Sequence, residues 1–206
     1  MRCALALLLA VLAGSLPASR AESADDPALA AFNAGDFPTA REAFAPRAAA
    51  GDASAQFYLG IMRLRGLDGP ADRAAARAWL LRAAEQEHAA AQNRLAELYG
   101  TEDSPAEALR WLRRSAENGW FAAQMTLAGR YAAGDGVPID PVEALKWFDI
   151  AAEMGLDPYN ADRDALAATT DPAMIAEAAR RTRGWLAAHR RWDDESIAAT
   201  ATTGRN

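Results

Sequence analysis

A tryptophan recurs three times in this chain at a fixed phase to the same small and apolar residues. Trp79, Trp111 and Trp147 are each followed four and five residues later by a small pair: Ala83-Ala84, Ser115-Ala116 and Ala151-Ala152. The glutamine of an Ala-Gln-x-x-Leu cluster stands thirteen residues after Trp79 and after Trp111, in Ala91-Gln92-x-x-Leu95 and Ala123-Gln124-x-x-Leu127. An earlier copy, Ala55-Gln56-x-x-Leu59, precedes Trp79 by 23 residues, the distance that also separates Gln124 from Trp147. Self-similarity at a period near 36 restricts the chain to a repeat architecture, in which each unit buries its apolar face only against its neighbours. Such an array works by presenting surface to a partner. It does not name the partner.

Each repeat reads as a pair of helices. In the first member apolar positions recur at helical spacing, as in Ala55, Leu59, Met62, or Ala91, Leu95, Leu98, or Ala123, Leu127, Tyr131. In the second they run Ala76, Trp79, Ala83, then Ala108, Trp111, Ser115, then Ala144, Trp147, Ala151. Steps of three and four hold these side chains on one stripe, which predicts Leu59, Trp79, Leu95, Trp111, Leu127 and Trp147 as the structural repeat core. Ser104-Pro105-x-Glu107 and Asp140-Pro141-x-Glu143 have the form of capping boxes, and Asp72 and Asp171 occupy the same starting slot. Gly51, Gly119 and Gly155 close second helices, where a left-handed residue is needed. Turn-rich loops, Gly66-Leu67-Asp68-Gly69-Pro70 and Gly134-Asp135-Gly136-Val137-Pro138, join the two members. In the middle repeat the loop shrinks to Gly100-Thr101-Glu102-Asp103.

These residues resemble the Sel1-like repeat family, whose pattern is matched by Leu59-Gly60, Gly134-x-Gly136-Val137, Asp140, Ala144, Trp147, Ala151-Ala152 and Gly155. Three departures stand out: Glu87 where the closing glycine is expected, the shortened middle loop, and Phe44 in the tryptophan slot of a degenerate first unit. The resemblance implies an all-α fold, a right-handed α/α superhelical solenoid of antiparallel helix pairs related to tetratricopeptide arrays, acting as an adaptor. The expected organisation is a degenerate N-terminal helical hairpin over 28–52, repeats over 53–88, 89–120 and 121–155, and capping helices over 156–189. Residues 22–27 form an acidic N-terminal tail, and 190–206 lack periodicity and are expected to be a flexible tail.

The first 21 residues read as a secretory leader: Arg2, an uninterrupted apolar run from Ala4 to Ala13, and Ser19-Arg20-Ala21 before the expected cut. A retained anchor is the alternative, but the run is short of the roughly 20 residues that span a bilayer. Cys3, the only cysteine, leaves with the leader, so the mature chain offers no disulfide or thiolate. It carries 20 basic and 28 acidic residues, a net charge of -8, which disfavours nucleic acid and anionic membrane surfaces. The expected location is periplasmic or secreted, with no stable membrane insertion after cleavage.

No catalytic residue, metal site or cofactor is expected. His88 and His189 are the only histidines, and no metal-ligand spacing, nucleophile elbow or phosphate-cradling loop occurs. The function read from the sequence is a non-catalytic protein-protein interaction adaptor or regulator, holding a protein or peptide partner, such as an envelope sensor or assembly, in the concave groove of its superhelix. The residues one, five and eight after each glutamine project away from the packed stripe. These are Phe57, Ile61 and Leu64, then Asn93, Glu97 and Gly100, then Met125, Gly129 and Ala132. The N-terminal hairpin is one candidate cover for Phe57, Ile61 and Leu64. Trp120, whose counterparts are His88 and Leu156, is a further candidate contact, and Trp192 is a candidate docking element. A second class stays open: a cell-wall-related enzyme or ligand binder, β-lactamase-like or peptidoglycan-binding, as some family members are. Those relatives carry a disulfide across each repeat, which this mature chain cannot form.

Overall fold

The computed structural model describes residues 26–153 and 160–203, with side chains described as far as residue 189. The expected leader, Gly155, Leu156 and the side chain of Trp192 lie outside the described residues. Among those described there are ten helices and no strand. They are α1 (Pro27–Asn33), α2 (Phe37–Ala49), α3 (Ala53–Arg65), α4 (Arg73–Glu85), α5 (Ala89–Thr101), α6 (Pro105–Glu117), α7 (Phe121–Ala133), α8 (Pro141–Glu153), α9 (Asn160–Thr169) and α10 (Pro172–Thr203). Every helix from α2 to α8 is 13 residues long.

Short acceptor side chains start most of these helices. Asp26, Asp36, Asp52, Asp72, Asp140 and Asp171 each accept from a backbone N–H in the first turn, satisfying donors the helix cannot satisfy itself. Ser104 departs from the capping-box expectation: its side chain makes no cap bond. Its hydroxyl turns back to the Glu102 carbonyl, and Glu107 is drawn along its own helix by Arg110. The middle connection is also tighter than expected, because α5 takes in Gly100 and Thr101. Asp103 then makes the reversal with φ 54°, a region in which a short polar side chain is tolerated.

The chain forms two compact units that divide within α4, one ending at Ala83 and the other beginning at Ala84. In the first unit, α1 packs on α2 and α2 on α3. Its core is built from Ala28, Ala40, Phe44, Ala48, Ala55, Leu59 and Met62, with Tyr58 and Trp79 packed against it. Phe44 stacks on Tyr58 with centroids 4.9 Å apart, and Phe32 meets the same tyrosine at 5.0 Å. Gly60 is required where α3 and α4 cross, since a Cβ there would sit 2.7 Å from Leu80 Cγ.

In the second unit, α5 packs on α6, α6 on α7, and α7 on α8. The chain then folds α9 and α10 onto α8 through Val142, Leu145 and Ala178, with Leu166, Met174 and Ile175 around them. α10 runs past the helix end expected at His189 and continues as helix to Thr203. Arg190 to Thr203 contains neither glycine nor proline, so no stop signal ends the helix at His189.

Candidate functional site

The repeated glutamine has a structural role that its position in an apolar stripe conceals. Gln56 Nε2 donates to the Ala48 carbonyl at 3.1 Å, Gln92 Nε2 to Ala84 at 3.0 Å and Gln124 Nε2 to Ala116 at 3.1 Å. Each acceptor lies eight residues back, in the last turn of the preceding helix. Each also accepts from the N–H of the turn residue three positions on, Gly51, Glu87 or Gly119. All three glutamines are buried. A buried carbonyl at a helix end is costly unless paired, so the glutamine satisfies an acceptor left open where the preceding helix ends. Its constant phase with the tryptophan was the available signal; its hydrogen bond was not readable from periodicity.

The joint between α4 and α5 contains the departure at Glu87. This residue takes φ 63°, the left-handed region that glycine enters without steric penalty. Its counterpart Gly119 has φ 82°. The carboxylate is held by the guanidinium of Arg114, by Asn118 Nδ2 at 2.6 Å and by Gln92 Nε2 at 3.1 Å. Asn118 also donates to Gln92 Oε1 at 2.8 Å. The Arg114 bond, with help from Asn118 and Gln92, holds the Glu87 carboxyl below the usual glutamate range against the opposing effect of burial. Glu87 thereby links the start of α5 to the last turn of α6.

The residues expected to line a first-helix face are divided by the structure into open and covered positions. Glu97 and Gly129 are exposed, and Gly129 faces open space where a Cβ would stand. Trp120, at the start of α7, is 40% exposed. Phe57 and Leu64 are half-buried. Ile61, Asn93 and Met125 are buried, at 5%, 8% and 9% exposed. A helix inside an array has neighbours on more than one side, so a position opposite one packed stripe is not thereby open. On α3 it is Tyr58 that meets the aromatic side chains of the N-terminal hairpin, Phe32 and Phe44. On α5, Asn93 donates to Glu97 at 2.9 Å and Arg94 reaches the same carboxylate at 2.6 Å.

The positions read as repeat core are occupied as follows. Leu95 and Leu127 are fully enclosed, Leu59 is 7% exposed, and Trp111 and Trp147 are each 2% exposed, while Trp79 is half-buried against the first unit's core. Cations cover the indole faces: Arg82 over Trp79 at 4.9 Å, Arg110 and Arg114 over Trp111 at 4.6 and 5.3 Å, and Lys146 over Trp147 at 3.9 Å. Such pairs attract through the ring quadrupole and keep the charged head near water. Each of these cations comes from the tryptophan's own helix. Among the described residues, no group of three His, Asp or Glu side chains is placed to hold a metal ion, and no helix is long and apolar enough to cross a membrane.

Comparison with known proteins places this geometry. The Sel1 repeat family model matches residues 53–88, 89–120 and 122–156, together half of the chain. A solved Sel1 repeat protein from Oxalobacter formigenes superposes with a TM-score of 0.61 at 28% identity, over 66% of this chain and 58% of that one. The chain thus spans little more than half the length of that relative. A protective antigen of uropathogenic Escherichia coli with an SLR fold gives a TM-score of 0.43 at 21% identity, over 78% of this chain and 46% of the other. No curated protein matches the sequence.

Proposed function

This chain belongs to the Sel1 repeat family, and from that premise we propose that it is an exported, non-catalytic adaptor or regulator that holds a protein partner on the first-helix face of its repeats. The observation that carries this reading is Trp120. The repeat tryptophans Trp111 and Trp147 are enclosed, whereas Trp120 stands 40% exposed at the start of α7. A large, rigid amphipathic side chain left at the surface is the residue type that anchors protein interfaces. Along the same helix Gly129 leaves room for a partner to approach closely, and Glu97 on α5 supplies an exposed polar position. Met125 and Asn93 on the same two helices are buried. Phe57, Ile61 and Leu64 are the corresponding positions of α3 in the other unit.

Export rests on the apolar run from Ala4 to Ala13 and the small residues before Glu22. The mature protein is expected to begin at Glu22 and to reside in the periplasm or outside the cell. Intact-mass measurement of the protein purified from the envelope fraction tests this part. A chain retaining Met1 would contradict it.

The binding reading is tested by capture of partners from native envelope extract with three baits: the wild type, Trp120→Ala and Gly129→Arg. Both substituted positions are exposed, so neither change should lower the melting temperature appreciably. The expected result is a specific protein retained by the wild type and lost by both variants. Equal capture by all three baits would remove the face from consideration.

A further inference from the structure

Asparagine is followed directly by glycine at one place in the chain, Asn118-Gly119, in the turn between α6 and α7. This pair carries a chemistry of its own. The main-chain nitrogen of the second residue attacks Cγ of the asparagine side chain, and glycine, without a Cβ, hinders that attack least. The new N–C bond closes a five-membered succinimide as the Cγ–Nδ2 bond breaks, and the proton lost by the attacking nitrogen leaves with the amine as ammonia. Water then opens the ring at one carbonyl to give aspartate, or at the other to give isoaspartate, in which the main chain runs through the side-chain carbon. Nothing is oxidised or reduced, and water is the only co-reactant.

The structure ties down both reacting groups. The Gly119 N–H donates to the Ala116 carbonyl at 3.0 Å, and the next N–H, that of Trp120, donates to the Ser115 carbonyl at 3.0 Å, so the nucleophile belongs to the hydrogen-bonded turn that closes α6. Asn118 Nδ2, the leaving group, donates to Glu87 Oε2 at 2.6 Å and to Gln92 Oε1 at 2.8 Å. Gln92 is itself oriented by bonds from its Nε2 to the Ala84 carbonyl and to Glu87. Glu87 is held by the Arg114 guanidinium through both Nε and Nη2. Ring closure needs the nitrogen and Cγ in one defined attack geometry. That geometry is out of reach until the turn and the side-chain bonds have opened.

We propose that Asn118 is a guarded modification site, protected from deamidation by the Glu87 network while the contact between the start of α5 and the end of α6 is closed, and converted to aspartate or isoaspartate when that contact opens. The conversion runs one way. In the product an oxygen replaces Nδ2 and would face Glu87 Oε2 and Gln92 Oε1, three acceptors with no proton to share. Two carboxylates so close also repel, and Arg114 is already engaged with Glu87. Isoaspartate further lengthens the main chain two residues ahead of Trp120 and so displaces the start of α7. An opening that is transient in the asparagine form thus becomes permanent, and this does not depend on the adaptor reading.

The corresponding turns of the array are an internal contrast. The slots of Asn118 and Gly119 are filled by Ala50 and Gly51 after α2, and by Gln86 and Glu87 after α4. Ala50 has no side-chain amide, and Gln86 is followed by a residue with a Cβ. The reactive pair therefore stands in the one of these three turns that Glu87 reaches, and Glu87 occupies a left-handed position, φ 63°, that glycine would fill without strain. The departure from glycine at 87 supplies the guard for the asparagine at 118.

The test incubates the purified protein in mildly alkaline buffer, native and in urea, and follows residue 118 by mass spectrometry of the tryptic peptide 115–130, with fragmentation to separate aspartate from isoaspartate. Conversion at 118 is expected to be at least about tenfold slower in the native protein than in urea. Glu87→Ala, which removes one of the two acceptors of Asn118 Nδ2, should convert about tenfold faster than the native wild type. Ile150→Val trims a fully buried side chain of α8 and leaves every bond around Asn118 in place, so it should convert at the wild-type rate; this separates loss of the guard from loss of stability. In Asn118→Asp, hydrogen exchange of the Gln92 and Gly119 amides should rise about tenfold relative to that of Leu145. The proposal is overturned if the native wild type converts as fast as the chain in urea, if Glu87→Ala is no faster than wild type, if Ile150→Val matches Glu87→Ala, or if Asn118→Asp keeps wild-type exchange.

Discussion

Glu87 is the residue at which the chain departs from its own repeat most informatively. Holding a residue with a Cβ in the left-handed region costs about 1–2 kcal/mol relative to glycine, while an exposed ion pair returns about 0.2–1 kcal/mol. The hydrogen bonds from Asn118 and Gln92 make up the remainder. Glu87→Gly, which loses the network and the strain together, should therefore change stability by less than about 1 kcal/mol, whereas Glu87→Ala keeps the strain and should cost about 1–2 kcal/mol. Urea denaturation of the two variants checks this, and the order of the two is the decisive point. The glutamines permit a second comparison. Gln92 bonds through both its amide nitrogen and its oxygen, but Gln124 Oε1 has no partner. Gln92→Leu should accordingly be more destabilising than Gln124→Leu, by roughly 1 kcal/mol; equal losses would show that the Asn118 bond contributes nothing.

At the scale of elements, Arg47 joins three helices of the first unit. From the last turn of α2 it bonds Asp26, the cap of α1, at 2.5 Å and Asp52, the cap of α3, at 2.8 and 2.9 Å. The Arg47 bond, assisted by the Ala28 N–H, holds the Asp26 carboxyl below the usual aspartate range. Burial would raise the Asp52 carboxyl, but bonds from Ala55 and Arg47 outweigh it and lower it as well. Groups lowered on folding stabilise the protein above their unfolded value and lose that contribution as pH falls through the folded one. Arg47→Ala should thus cost about 1–2 kcal/mol at neutral pH, discounted for partial exposure. Wild type and variant should converge below about pH 4. Denaturation midpoints measured at both ends of that range test the sign.

Much of this element order was legible in advance. The aspartates before α4, α8 and α10 mark real helix starts, and the alanine-tryptophan steps mark buried stripes, because capping and helical spacing are local properties. What was not legible depends on partners far along the chain. Gln56, Gln92 and Gln124 read as markers until their carbonyl partners are seen. Burial of Asn93 and Met125 depends on neighbours that a single helix wheel does not contain. The length of α10 was missed because a helix without a stop signal gives no boundary to read, and the bond from Trp185 to Glu117 spans residues that no local pattern connects.

Among the described residues, the repeat chemistry is directed inward: glutamines to carbonyls, indoles to cations, aspartates to helix starts. The positions on the described first helices that we propose for a partner are Trp120, Gly129 and Glu97, all exposed. The central claim is that this face, and not the second helices, meets another protein. Site-specific photocrosslinking in the intact envelope tests it directly, with a photoreactive residue placed in turn at position 120, at position 129, and at the exposed position 110 on α6. The account predicts a discrete crosslinked product at 120 and 129 and none at 110. Crosslinks confined to 110, with 120 and 129 silent, would contradict it.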